Sequence, residues 1–436
     1  MTGCCSACDQ TSAPAPAPAA AGKRLLPWAE VLARLPELVQ PVAATELVPL
    51  AAARGRILAE DVIAGRAVPP AAVSAVDGYA CFAADLSALR PTALPVVGRI
   101  AAGHPFHRPL ARGEAVRIFT GAPLPAGVGV GNGGPEVVAM QEDCRLDGDT
   151  VLMPAGLGAG ANRREAGEDV RAGQVLLKRG QRLRAPDLGV AAGQGRAQLP
   201  VFRRLKVAIF STGDELSEPG TVVPECGIYD SNRFTLAGLL AGLAMVEVTD
   251  LGILPDRPAE MRESLARLIA AGDHDAVLTT GGVSVGDEDH VKAVVAELGR
   301  LDLWRLAIKP GKPVAVGRLG PMPFVGLPGN PVAVVVGFMV MARPLLLRLA
   351  GAERLEPLRL PVPAGFSFKK TGGRREFVPA RLERDEAGML AAQRIVGNSA
   401  TLSVLTGADG WVELPEADCL ISPGMIMDFI PLSEIL

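Results

Sequence analysis

The residues able to do chemistry are concentrated in four turns, each following an apolar, strand-like run. Ser211-Thr-Gly-Asp-Glu215 follows the run at 207–210, and Pro255-Asp256 follows 246–254. Gly281-Gly282-Val283-Ser284-Val285-Gly286-Asp287-Glu288-Asp289 follows 276–280, and Pro328-Gly329-Asn330-Pro331 follows 324–327. Glycine in such a turn lets backbone amides come close to a phosphate, and a helix starting there adds a partial positive end. Carboxylates in the same place would repel phosphate unless a hard cation bridged them. The four turns together therefore predict a Mg²⁺–phosphate site on the strand ends of an α/β sheet. Lys309-Pro-Gly-Lys312 holds two ammonium groups in a turn, where they attract an oxyanion. Arg374 and Arg375, after Gly372-Gly373, can complete an anion pocket by bidentate contacts. Each feature alone is an ordinary turn, cap or solvated charge; the conjunction on one sheet edge carries the reading.

Other chemistries fit less well. The four histidines (His104, His107, His274 and His290) accompany no G-x-S-x-G turn and no apparent Cys/His pair, so nucleophilic catalysis is not favoured. No G-x-x-x-x-G-K-[ST] loop is present, which argues against a P-loop ATPase. Cys5-Ser-Ala-Cys8 has the spacing of half a zinc site, but no second pair follows it. The reading is a tail with exposed thiols.

The elements that must position these turns follow from periodicity. From Lys206 onward the pattern is strand, helix, strand. Strands are expected at 207–210, 246–254, 276–280, 314–316 and 324–327, with helices at 233–244, 259–271, 289–298 and 332–349. Strands feeding helices in this way predict a parallel, doubly wound sheet. Before it, residues 47–64 have apolar residues at helical spacing and predict an amphipathic helix. Short β runs between Gly/Pro turns at 95–153 predict a small all-β module, and 162–178 returns to the first segment. After Pro357 the texture is again strand and turn.

A chain of 436 residues calls for two to four domains. A net charge of −3 and an aromatic content of 4% give no support to a nucleic-acid partner. The seven cysteines form no disulfide framework and fit a reducing compartment. Residues 1–23, with Cys4, Cys5, Cys8 and an Ala/Pro tract, predict a disordered leader. The uncharged stretch at 319–342 is interrupted by Pro321, Pro323, Pro328, Asn330 and Pro331, which argues for strand, turn and buried helix rather than a membrane span. The expected location is the cytoplasm.

From about Leu25 to its C-terminus the chain resembles the molybdopterin molybdenumtransferase (MoeA) family, which includes the E domain of gephyrin. The resemblance is carried by Ser74-Ala-Val-Asp-Gly-Tyr-Ala80, Phe119-Thr-Gly-Ala-Pro-Leu-Pro125, Arg163-Arg-Glu-Ala-Gly-Glu-Asp169, Ser211-Thr-Gly-Asp-Glu-Leu216, Tyr229-Asp-Ser-Asn232, the turn at 281–289, Ile308-Lys-Pro-Gly-Lys-Pro313 and Gly326-Leu-Pro-Gly-Asn-Pro331. It implies an elongated linking domain at 24–200 with an inserted β domain at about 70–160. An α/β molybdopterin-binding domain at 201–353 and a C-terminal β barrel at 354–436 would follow. It also implies a homodimer, the β domain of one subunit reaching toward the α/β site of the other.

The reaction implied is insertion of molybdate into adenylylated molybdopterin, with Mg²⁺ required and AMP released. By motif, Asp77, Thr120 and Asp169 would line the cleft from the first two domains, and Glu215, Asp256 and Asp289 would handle Mg²⁺ or protons. Gly281, Gly282, Ser284, Pro328, Gly329 and Asn330 would shape the substrate pocket, with Lys309, Lys312, Arg374 and Ser399 holding phosphate or molybdate oxygens. Partners implied are the adenylylated pterin, molybdate, a second copy, a molybdopterin adenylyltransferase and molybdoenzyme acceptors. The chain departs from the family pattern at Val73, Val76, Arg305 and Ala333, the last replacing a common serine hydroxyl. Two rival readings are an adenylyltransferase on the same sheet and a non-catalytic cofactor-binding scaffold.

Overall fold

The computed structural model describes residues 25–42, 44–128, 134–283, 290–384 and 388–435. The cysteine-rich leader, Ser284 and Asp289 lie outside the described residues.

The run beginning at Leu205 is buried on both faces, as expected of a central strand. Val207 and Ile209 point into one apolar cluster, Ala208 and Phe210 into another. The first cluster takes Leu236, Leu239 and Leu240 of the helix Asn232–Ala241, with much of the segment at 331–349. The second takes Met261 and Leu265 of Pro258–Ala271, with Val291 and Val294 of His290–Leu298. Helices thus cover both faces of the sheet.

The strand order is Val246–Leu254, Leu205–Thr212, Ala276–Thr280, Met322–Leu327, Ala315–Leu319, Gly299–Trp304. The first four strands run parallel. The expectation of a wholly parallel sheet needs correction, because the last two strands pair antiparallel. A tight turn at Gly320 (φ +57°) joins Ala315–Leu319 to Met322–Leu327 as a hairpin, and a hairpin reverses direction.

The apolar segment at 332–349 is one continuous helical stretch: Pro331–Gly337, a π-helical turn Phe338–Ala342, then Arg343–Leu349. It is long and apolar enough to cross a membrane, yet 94% of its apolar window is buried inside the fold. The indole N–H of Trp28, on the helix Trp28–Leu38, donates to the Val340 carbonyl at 3.0 Å within the π turn. Widened turns leave carbonyls in need of such donors.

The amphipathic helix expected at 47–64 does not form. The segment divides into the strand Thr45–Pro49, a four-residue helix Leu50–Ala53 and the strand Val62–Ile63. Pro49 and Gly55 (φ +77°) break the helical run, and pairing of Thr45–Pro49 with Gln198–Phe202 supplies the backbone partners instead. Two further ladders, Val62–Ile63 with Val175–Leu177 and Val73–Ser74 with Arg163–Arg164, bring the outgoing and returning chain together. Beyond them lies a six-stranded sheet ordered Val137–Met140, Gly78–Cys81, Ala115–Ile118, Thr92–Ile100, Thr150–Met153, Arg145–Asp147.

The C-terminal sheet runs Ile308–Lys309, Arg375–Arg384, Gly410–Leu414, Ile426–Pro431, Leu360–Pro363, with Leu390–Arg394 also paired to Arg375–Arg384. Ala364, just past Leu360–Pro363, bridges to Ala392 of Leu390–Arg394, which brings those two strands together.

Candidate active site

The chain leaves Leu205–Thr212 for the neighbour on one side, then returns to Ala276–Thr280 on the other. At such a reversal the connections diverge and leave a crevice at the strand carboxyl ends. All four chemistry-bearing turns open there. Thr212 and Glu215 enter from the first strand, Asp256 from Val246–Leu254, Gly281 and Gly282 from Ala276–Thr280, and Pro328, Gly329 and Asn330 from Met322–Leu327. The cavity is about 1100 Å³.

Two glycines are required at its floor. A Cβ on Gly281 (φ +88°) would stand 2.6 Å from the Thr212 carbonyl oxygen, and one on Gly282 (φ +64°) would stand 2.3 Å from Val291 Cγ2. The Gly281 N–H is not free for phosphate, however, because it donates to the Leu327 carbonyl at 3.1 Å. Its role is close approach of backbone rather than donation.

The opposite wall comes from the C-terminal module. Ile308–Lys309 pairs in parallel with residues 375 and 376, so the lysine turn and Arg374 are positioned by one ladder. Asn330 Nδ2 donates to Ser399 Oγ at 3.1 Å, and the Val332 amide donates to the Ser399 carbonyl at 3.1 Å. Asn232 Nδ2 donates to the Gly329 carbonyl at 2.7 Å. The Pro-Gly-Asn-Pro turn is thus tied on both sides. Lys309, Lys312, Arg374 and Ser399 all line the cavity, as expected.

Charge in the crevice is mixed. Burial pushes the Asp256 carboxyl up, an effect opposed by nearby His290 and the Thr212 hydroxyl and reinforced by Asp214 and Glu215. Asp256 Oδ1 is buried and has no hydrogen-bond partner. The Glu215 carboxylate folds back over Gly213, where an added Cβ would lie 2.7 Å from Oε2. Lys309 is not a free cation, since it pairs with Glu376 at 2.9 Å. Arg375, expected beside Arg374 in the anion pocket, does not line the cavity and is held instead by Glu413 and Glu416. Among the described residues, no group of three His, Cys, Asp or Glu side chains stands together as a metal site.

Asp77, Thr120 and Asp169 do not line this crevice. Asp77 accepts hydrogen bonds from the Thr120 amide and hydroxyl, both at 2.8 Å, and these hold its carboxyl below the usual range. Asp169 is exposed, its amide donating to the Val68 carbonyl at 3.0 Å. Within one chain the expected set therefore divides: part lines the crevice, Asp77 and Thr120 lie at the ends of Gly78–Cys81 and Ala115–Ile118, and Asp169 lies beside Val68.

The sequence reading missed Arg394, Phe368 and Asn398, which also line the cavity. Arg394 ends a strand with no glycine or proline turn to mark it. Asp230 of the Tyr-Asp-Ser-Asn motif has a structural task. It is buried, accepts from Ser211 Oγ, and binds the Arg233 amide at 3.1 Å and Nε at 3.0 Å, while Arg233 reaches Glu218 and Asp250.

The chain is similar to known proteins over most of its length. Residues 26–195 match a family model described as MoeA N-terminal region (domain I and II). Residues 208–348 match one described as Probable molybdopterin binding domain, and 361–432 one described as MoeA C-terminal region (domain IV). The chain is 37% identical over 395 residues to a molybdopterin molybdenumtransferase of Haemophilus influenzae, covering 90% of this chain and 95% of that protein. It is 34% identical to one from Nostoc sp., covering 87% of each. Among solved structures, a molybdopterin biosynthesis MoeA protein from Pyrococcus horikoshii OT3 superposes with a TM-score of 0.78 at 29% identity, over 94% of this chain and all of that one. With matches of this length at both the sequence and the fold level, the chain belongs to the molybdopterin molybdenumtransferase (MoeA) family.

Proposed function

We propose that this enzyme of molybdenum cofactor biosynthesis takes molybdate and adenylylated molybdopterin as substrates, inserts the metal and releases AMP. The reading is carried chiefly by one observation. A buried, unpartnered Asp256 oxygen and the Glu215 carboxylate share a glycine-floored crevice with Lys312 and Arg374. Both substrates are polyanionic, so bringing them together calls for cations on one wall. Lys312 and Arg374 hold their oxygens, and the tied turn at 328–331 shapes the pocket around the pterin or the oxyanion.

The orphaned Asp256 oxygen fits a hard cation. Mg²⁺ takes one or two protein carboxylates and completes its shell with water and substrate phosphate. Asp256 and Glu215 would hold it, with Asp289 as the further acid of the set, and it would stabilise charge on the departing AMP. Water splits the phosphoanhydride into AMP and the pterin phosphate, and the two pterin sulfurs replace molybdate oxygens, which leave as water, a chemistry that belongs mainly to the ligand.

The functional unit is a cytoplasmic homodimer, in which Asp77, Thr120 and Asp169 of one subunit face the crevice of the other. The domains are an elongated linking domain at 24–200 around an inserted β domain, the α/β domain at 201–353 and a C-terminal β barrel at 354–436, after a leader at 1–23. The test is AMP release from adenylylated molybdopterin on addition of molybdate and Mg²⁺. Dimeric, folded protein that released no AMP would refute the transferase. Formation of adenylylated product from molybdopterin and MgATP would favour an adenylyltransferase instead.

A further inference from the structure

We propose that Arg394 is an oxyanion-holding residue of this crevice, an assignment that rests on the transferase reading and adds a third cation to Lys312 and Arg374. Arg394 closes the strand Leu390–Arg394, paired with Ala380, so its backbone is fixed by a sheet. Its guanidinium lies over the Phe368 ring at 4.4 Å, and both residues line the cavity. Its Nε is buried without a hydrogen-bond partner. A desolvated donor with no acceptor is unfavourable, so an acceptor supplied by a ligand relieves it.

The contrast with neighbouring cations is informative. Lys309 is neutralised by Glu376, and Arg375 by Glu413 and Glu416. Arg394 has no ion pair among the described residues. A planar guanidinium stacked on an aromatic face is held in one orientation before ligand arrives, and its edge suits the oxygens of phosphate or molybdate. Both ligands present a tetrahedral oxyanion, so the chemistry recognised is the same.

The variants Arg394→Met, Arg394→Lys and Phe368→Leu, assayed as full-length dimers, distinguish the sources. Arg394→Met should raise KM about tenfold for one anionic substrate while kcat stays within about twofold. A rise confined to molybdate places the contact on molybdate, and a rise confined to the adenylylated pterin places it on phosphate. Lys should recover part of the loss, because it keeps the charge but not the stacked plane, and Phe368→Leu should show a smaller rise. The dependence of the affected KM on ionic strength should be shallower in Arg394→Met than in wild type. An active wild type with both KM values unchanged in Arg394→Met overturns the assignment, as does a KM rise that Lys does not relieve and that tracks a fall in melting temperature. A wild type that turns over neither substrate overturns the transferase reading itself.

Discussion

Asp256 shows how function and stability separate at a single residue. Its carboxyl is raised in the folded state, chiefly by burial. Stability linked to such a group is full below the unfolded carboxylate range and is lost as pH rises through the folded value. At neutral pH the ionised side chain therefore works against the fold unless a cation is near. Asp256→Asn should raise the melting temperature in metal-free buffer at pH 7.5, while lowering AMP release by about 100-fold or more. Mg²⁺ should stabilise the wild type and leave the variant unmoved, which a thermal scan with and without the metal would read. A variant that melts lower than wild type without metal would contradict the account. At the same scale, Lys309 shows where sequence falls short. The turn marked it as an anion ligand, but its partner Glu376 lies 67 positions away and only the fold brings the two together.

Among the elements, the floor turn and the entry to the central strand carry separate predictions. Gly281→Ala would press a methyl against a backbone oxygen at 2.6 Å, in a left-handed conformation. Backbone cannot give way as a side-chain tip can, so a loss of about 1–3 kcal/mol is expected in denaturant unfolding, with activity lost as the turn shifts. At the other end of the sheet, Asp275 receives Arg203 at 2.6 and 2.7 Å and the Lys206 amide at 2.8 Å. Burial pushes its carboxyl up, but these donors outweigh burial and hold it below the ordinary value. Its contribution is present above the unfolded carboxylate value and is lost as pH falls through the depressed one. The melting-temperature gap between wild type and Asp275→Asn should thus be widest near pH 7 and close below about pH 4.

The α/β elements were legible because buried runs and helix faces repeat locally, and every turn at their carboxyl ends could be named from the chain alone. The segment at 47–64 was not legible. Its apolar spacing suits a helix, but its partners at 198–202 are far away in sequence, and long-range pairing decided the outcome. The strands Gly78–Cys81 and Gly299–Trp304 were missed for similar reasons. The first hides inside a motif, and the second lies at a sheet edge with Arg300 and Asp302 interrupting its apolar pattern.

For the whole molecule, the division of the expected site residues is the informative fact. Asp77 and Thr120 sit together at the ends of Gly78–Cys81 and Ala115–Ile118, while Asp256 lies in the crevice. In the proposed dimer each working site draws on both subunits. Mixing Asp77→Ala with Asp256→Asn protein, each inactive alone, should then restore activity. Random reassortment gives one intact site in each mixed dimer, about a quarter of wild-type activity. A site built within one chain would give no recovery, so subunit exchange followed by the AMP assay separates the two.

The two rungs joining Ile308–Lys309 to residues 375 and 376 also limit how substrates can enter. The Arg375 amide donates to the Ala307 carbonyl at 2.7 Å, so the chain leaving the α/β sheet and the C-terminal module are sewn together beside the cavity. They cannot hinge apart like jaws without tearing that seam. Guests must arrive through the open rim, and deuterium uptake at Arg375 should stay as slow in the empty protein as in the loaded one.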